Sequence, residues 1–197
     1  MKRLLFLLLT VATCCLNSNA KMKPAVIETF DGERIECLTS GRASKITYKL
    51  SENGPKEKID AAKVKYLEYL SGDDRINLWL HMPMRIVKRN GSIEKAPLMQ
   101  KTSWVQLFDD PRHSEKTVMF VLTISSRYGT SYYYGCYRDS DDYAVLCTFG
   151  LGYSEENAVS VYMSDCPAIA EYVKQKEIKI RNGADLQKII DEYNNCK

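Results

Sequence analysis

The chain holds 197 residues, with 28 basic side chains set against 25 acidic ones. So even a balance leaves no electrostatic footprint for nucleic acid. Past the first twenty residues the longest apolar runs, such as Val118 to Leu122, are strand-sized, well short of the roughly 20 residues a membrane-spanning helix needs.

Met1-Lys2-Arg3 is a short basic opening, and Leu4 to Ala12 is an apolar run too brief to span a bilayer. Asn17-Ser18-Asn19-Ala20 follows, with small residues one and three positions before a cut after Ala20. The three parts read as a secretory signal peptide over residues 1–20. The alternative is cleavage before Cys14 with acylation of its thiol, which makes an outer-membrane lipoprotein; Thr13 fits that site poorly. Removing twenty of 197 residues leaves 177, and losing Lys2 and Arg3 leaves 26 basic against 25 acidic groups. That length suits one ordinary domain or two small ones.

Residues 21–72 read as a small all-β unit. Ala25 to Phe30 and Glu33 to Thr39 flank Asp31-Gly32, a dipeptide suited to a two-residue type I′ hairpin turn. Lys45 to Leu50, Lys56 to Asp60 and Val64 to Leu70 complete five short strands, with one helical turn at Asp60 to Lys63. Such a unit is either a small SH3-like barrel or the first half of a larger sheet. Ser71-Gly72-Asp73-Asp74 marks the boundary to an antiparallel β region over 73–163.

In that region Ile76, Leu78, Leu80 and Met82 alternate with Asn77, Trp79 and His81, a two-residue period broken at Pro83. Met84 to Lys88 continues to a turn at Asn90-Gly91, from which Ser92 to Lys95 returns; Ala96 to Thr102 is ambiguous. Trp104 to Phe108 is strand-like, and Thr117 to Ser125 is apolar enough to lie in the core with neighbours on both sides. Then comes a tyrosine-rich hairpin, Ser131 to Phe149, turning at Asp139 to Asp142. Ala158 to Met163 is the last predicted strand. Residues 164–197 change period. Ser164 or Asp165 can cap a helix with Pro167 in its first turn and Ile169, Tyr172 and Val173 on one face. Asn182-Gly183 opens a second helix with the stripe Leu186, Ile189, Ile190 and Tyr193. The fold class is therefore α+β: mainly antiparallel sheet, with a C-terminal pair of helices packed on it.

Without Cys14 and Cys15, five thiols remain, at Cys37, Cys136, Cys147, Cys166 and Cys196, and an oxidising compartment favours pairing. Antiparallel helices bring Cys166 beside Cys196, a bridge worth about 3.6 kcal/mol by chain entropy. Cys136 and Cys147 share a face of the hairpin, where a bridge is worth about 2.8 kcal/mol and two buried thiols behaving as small apolar groups are the alternative. Cys37 is then left as a buried, inert thiol.

The chain has no CxxC pair, no HExxH and no glycine-rich phosphate loop. The turn Asp139 to Asp142 lacks the spacing and bidentate Glu of a calcium loop and reads as a solvated turn. No metal and no cofactor is expected. Seven of the 13 tyrosines fall between Tyr128 and Tyr153. Since the two faces of a strand cannot share one core, either Tyr132 and Tyr134 or Tyr133 and Tyr137 should face outward or into a cleft, as candidate binding residues. Ordinary strand propensity explains the same enrichment.

ETFDGERIECLTSG, ITYKL and AAKVKYLEYL near the start, and SDCPAIAEYVKQKEI with DLQKIIDEYNNC at the end, resemble segments of small exported proteins of Bacteroides-like bacteria. The resemblance implies a periplasmic or secreted location and carries no residue role. The expected function is an exported envelope or binding protein that meets an unidentified envelope or extracellular partner. The alternative is a hydrolase or transferase whose site is assembled from distant residues near His81 or His113.

Overall fold

The computed structural model describes residues 21–70, 77–96, 103–112, 115–148, 155–175 and 180–196. Residues 1–20 with Cys14, the boundary at Ser71 to Asp74, and Ile76, His113 and Phe149 lie outside them. The described strands are β1 (Lys23–Thr29), β2 (Arg34–Thr39), β3 (Lys45–Lys49), β4 (Glu57–Asp60), β5 (Val64–Tyr69), β6 (Leu78–Met82), β7 (Met84–Val87), β8 (Ile93–Lys95), β9 (Ser103–Leu107), β10 (Val118–Ser126), β11 (Gly129–Tyr137) and β12 (Ala144–Leu146). They join in one sheet, in the order β4-β3-β2-β1-β5-β6-β9-β10-β11-β12-β7-β8. Three helices follow: α1 (Glu155–Tyr162), α2 (Pro167–Lys174) and α3 (Gly183–Asn194). Among the described residues no helix is long and apolar enough to cross a membrane.

The five N-terminal strands stand where the patterning puts them. A 3-10 turn at Ala61–Lys63 is capped by Asp60, whose carboxylate accepts from Ala62 N at 2.9 Å. The first turn differs from the two-residue expectation. Gly32 N donates to Thr29 O at 3.1 Å, Thr29 N donates to Glu33 O at 2.9 Å, and Gly32 has φ +86°. The connection thus spans three residues, Phe30 to Gly32, with glycine in the left-handed position, an arrangement Asp-Gly serves as well as the shorter turn. β1 pairs with β5, and β5 with β6, so hydrogen bonding runs without a break into the second half of the sheet.

Pro83 alone separates β6 from β7, yet four strands lie between these two in the sheet order. The sheet must therefore roll until β6 and β7 meet end to end as one bent strand. Ala144 N donates to Pro83 O at 3.0 Å on that seam. Residues of β6, β7, β9, β10, β11 and β12 share one interior, including Leu80, Met84, Val105, Phe120, Tyr137 and Leu146. The rolled wall has five members if β6 and β7 count as one. A ring with an odd number of members cannot be antiparallel throughout, so one pair must run parallel. That pair is β12 with β7, Ala144 opposite Met84. The sheet is accordingly mixed: mainly antiparallel, as expected, with this parallel pair among the described strands. The interior is tight at β11: a Cβ on Gly135 would lie 2.2 Å from the Phe120 ring and 2.3 Å from Val145 O.

The outer face of β10 to β12 carries Met119, Cys136, Val145 and Cys147, and the helices cover it through Val159, Met163, Val173, Ile189 and Ile190. The segment Ala158 to Tyr162 belongs to α1, where the sequence reading places a last strand over Ala158 to Met163. Val159 and Met163 stand one helical turn apart and are both buried, and Glu155 and Glu156 sit in the first turn, where carboxylates favour a helix. α2 begins at Cys166 as N-cap with no side-chain cap bond; neither Ser164 nor Asp165 takes that role. Ile169 and Val173 are buried, while Tyr172 faces solvent. α3 keeps its predicted stripe, and Asn182 caps it by accepting from Ala184 N at 2.8 Å and Asp185 N at 3.0 Å. The start of α2 and the end of α3 are joined by the Cys166–Cys196 disulfide, with an S–S distance of 2.01 Å.

Candidate functional site

The tyrosine hairpin forms as expected, β11 pairing with β12 through Gly135 opposite Leu146 and Cys136 opposite Val145. Its tyrosines do not form one exposed platform. Both faces of β11 are covered, one by the barrel interior and the other by the helices. Tyr133 packs toward the interior and Tyr137 is fully buried there. Tyr134 packs under the helices, its ring where a Cβ on Gly183 would lie 2.8 Å away. Only Tyr132 stands clear, at 60% exposure, because the β10–β11 ribbon outruns both covers. Tyr137, with no exposed surface, can offer a partner nothing.

The acidic turn is not simply solvated. Asp139 Oδ1 accepts from Lys65 Nζ at 2.7 Å and from the Tyr66 hydroxyl at 2.5 Å, with the Tyr137 hydroxyl at 3.5 Å. Burial, the Tyr137 contact and the Asp139 hydrogen bond together push the Tyr66 phenol far above its ordinary range. Beyond Tyr66 lies Arg112, which donates to Glu68 at 2.8 Å and to Asp110 at 2.6 Å, with Glu28 at 3.6 Å. Asp110's hydrogen bonds lead the effects that hold the Arg112 charge, against the cost of burial.

Two residues along the turn, Asp141 accepts the hydroxyl of Tyr162 from α1. Arg138 Nη2 donates to the Tyr193 hydroxyl at 2.7 Å, and that hydroxyl donates to Asp165 at 2.5 Å. Arg138, Asp141, Tyr162 and Asp165 border a cleft of about 440 Å³ whose wall also includes Ser140, Asp142, Tyr143, Val161 and Ser164. Burial first, and the carboxylate hydrogen bonds second, raise both the Tyr162 and Tyr193 phenols. Neither phenol is poised to ionise, so both act as neutral donors. Chemically the cleft is a set of clamps: Asp141 fixes Tyr162, Asp165 fixes Tyr193, and Arg138 links the hairpin to α3. Among the described residues no three His, Cys, Asp or Glu side chains are grouped to hold a metal ion.

A second cleft, of about 410 Å³, lies against β1, β5 and β6, between Lys21, Lys23, Arg42, Tyr69 and Trp79. The Arg42 guanidinium lies 3.3 Å from the centre of the Trp79 ring. Burial lowers the Arg42 pKa, and Tyr69 opposes that shift. His81 lines neither cleft. It is 5% exposed and its ring lies 4.7 Å from that of Trp104.

Sequence reasoning missed Arg138, Tyr162 and Tyr193, and also Arg42. No local signal foretold this arrangement: residues two apart share a face in a strand, and only the geometry of the turn sends Asp139 to Lys65 and Asp141 to Tyr162. Comparison with family models, with curated proteins and with solved structures found no match.

Proposed function

We propose that this is an exported, non-enzymatic binding protein of the cell envelope, and that it meets its partner through the free end of the β10–β11 ribbon. The observation that carries this is the run Ser125 to Tyr132, every residue of which is exposed. The run is nonetheless a paired ladder, Ser125 opposite Thr130 and Ser126 opposite Gly129. Tyr128 is 83% exposed and Tyr132 60%, and the Arg127 guanidinium lies 4.6 Å from the Tyr128 ring centre. Tyrosine, serine, glycine and arginine on a rigid projecting ribbon are the composition of an efficient contact surface. Aromatic area of few rotatable bonds is ordered at small entropic cost, and short hydroxyl side chains adapt to the partner.

In the cleft beside the acidic turn Asp141 is engaged by Tyr162, and Arg138 and Asp165 by Tyr193, which favours binding over bond-making. The likeness to exported proteins and the Cys166–Cys196 bridge both fit an oxidising compartment. The test is capture from envelope extracts by the immobilised protein and by a Tyr128→Ala/Tyr132→Ala variant. Capture should fall about tenfold or more, as for loss of aromatic hot spots, with circular dichroism and urea midpoint unchanged. Equal capture by the two proteins would reject the ribbon as the contact surface.

A further inference from the structure

Cys136 and Cys147 place their sulfur atoms 3.5 Å apart, as two free and fully buried thiols. Cys136 stands opposite Val145 in the β11–β12 ladder. Cys147 N donates to Tyr134 O at 2.9 Å, which sets Cys147 opposite Tyr134. The two cysteines are thus diagonal neighbours on one face, and their sulfurs already touch. A disulfide needs them at about 2.05 Å, an approach of about 1.5 Å from where they stand.

We propose that Cys136 and Cys147 form the second disulfide of the mature protein, and that this bridge fastens the seam at which the barrel closes. β12 is only three residues long, Ala144–Leu146, yet it carries both the last antiparallel pairing of the wall and its one parallel pairing, to β7. A bridge from β11 to the residue that follows β12 ties that short strand in place. The reading is independent of the ribbon surface proposed above.

The chemistry is thiol–disulfide exchange with a disulfide donor, either a small-molecule disulfide or that of an oxidoreductase. The thiolate of one cysteine attacks the donor; a donor sulfur leaves as thiolate and a mixed disulfide forms. The second cysteine's thiolate then attacks the protein sulfur of that mixed disulfide and releases the second donor sulfur. One S–S bond breaks and one forms. Two electrons pass from the cysteines to the donor, and the two thiol protons end on the released thiols.

Timing follows from chain order. The hairpin precedes α1, α2 and α3, whose side chains later bury both sulfurs. In the folded protein the Cys136 thiol is held well above its ordinary range by its hydrogen bond to Cys147 and by burial, so exchange belongs to the stage before the helices dock. Cys37 provides an internal control. It lies in a separate cluster, on β2, and burial pushes its pKa up to about 11.

The experiment reduces and unfolds the purified protein, refolds it in a buffer of reduced and oxidised glutathione, and then labels free thiols with N-ethylmaleimide in denaturant. Peptide mapping should find label at Cys37 and a linked peptide pair containing Cys136 and Cys147. Label at Cys136 and Cys147 would overturn the proposal, as would a bridge from Cys37 to either one.

Discussion

Asp139 gathers a cation and two phenols at one carboxylate, and its ionisation is coupled to the fold. Burial works against its charge, but the hydrogen bonds from Lys65 and Tyr66 outweigh it and hold the carboxyl below its ordinary 3.8. A depressed folded-state pKa contributes stability that is fully present above the unfolded value and is lost as pH falls through the folded one. Replacing Asp139 with Asn keeps the shape and removes the charge, leaving Lys65 unpaired and Tyr66 with a weaker acceptor. Urea unfolding at pH 7 should show a loss of about 1–3 kcal/mol. Below pH 3.8 the difference from the parent protein should shrink, because the unfolded parent then takes up a proton that the folded one accepts only at lower pH. A gap independent of pH would separate this residue from acid unfolding.

At the scale of elements, the C-terminal helices are short, and the Cys166–Cys196 bridge compensates for that. α2 is eight residues long and its N-cap residue makes no side-chain cap bond, so the disulfide beginning at that same residue does the anchoring. Changing both cysteines to alanine should lower unfolding free energy in urea by about 3–4 kcal/mol, the chain-entropy value for this loop. Amide exchange should speed up in α3 before it does in the barrel strands; uniform exchange would show that packing alone holds the tail.

The bridge, the stripe of α3 and the strands from β1 to β5 were legible in the sequence, because each rests on a local period, a turn residue or a fixed spacing. What was not legible depends on closure. Val159 and Val161 read as strand residues until the burial of Val159 with Met163 shows a helical turn. The parallel pair of β7 with β12 follows from the ring's having an odd number of members, which no window of sequence reveals. The tyrosines were found, but their exposure was not, since it depends on how far the ribbon outruns covers built from residues distant in sequence, some earlier (Leu80, Val105) and some later (Val173, Ile189).

For the molecule as a whole, the sheet decides whether the N-terminal strands behave as a unit of their own. β5 is shared: Tyr66 belongs to the barrel interior, while its neighbour Leu67 belongs to the N-terminal cluster. β6 and β9 divide in the same way, Leu80 and Val105 facing the barrel while Trp79 and Trp104 pack against the N-terminal cluster. Arg112, just past β9, ties back to Glu28 on β1 at 3.6 Å and to Glu68 on β5 at 2.8 Å. Removing residues 21–72 would uncover both cores at once, so neither half can unfold without exposing apolar surface of the other. The two tryptophans report on this shared zone, and far-ultraviolet circular dichroism reports on the sheet and helices together. Urea transitions followed by the two signals should coincide in one cooperative step. A fluorescence transition that comes first, with the helical signal intact, would mean that the N-terminal strands unfold separately, and that the continuous hydrogen bonding from β5 to β6 does not couple the two cores.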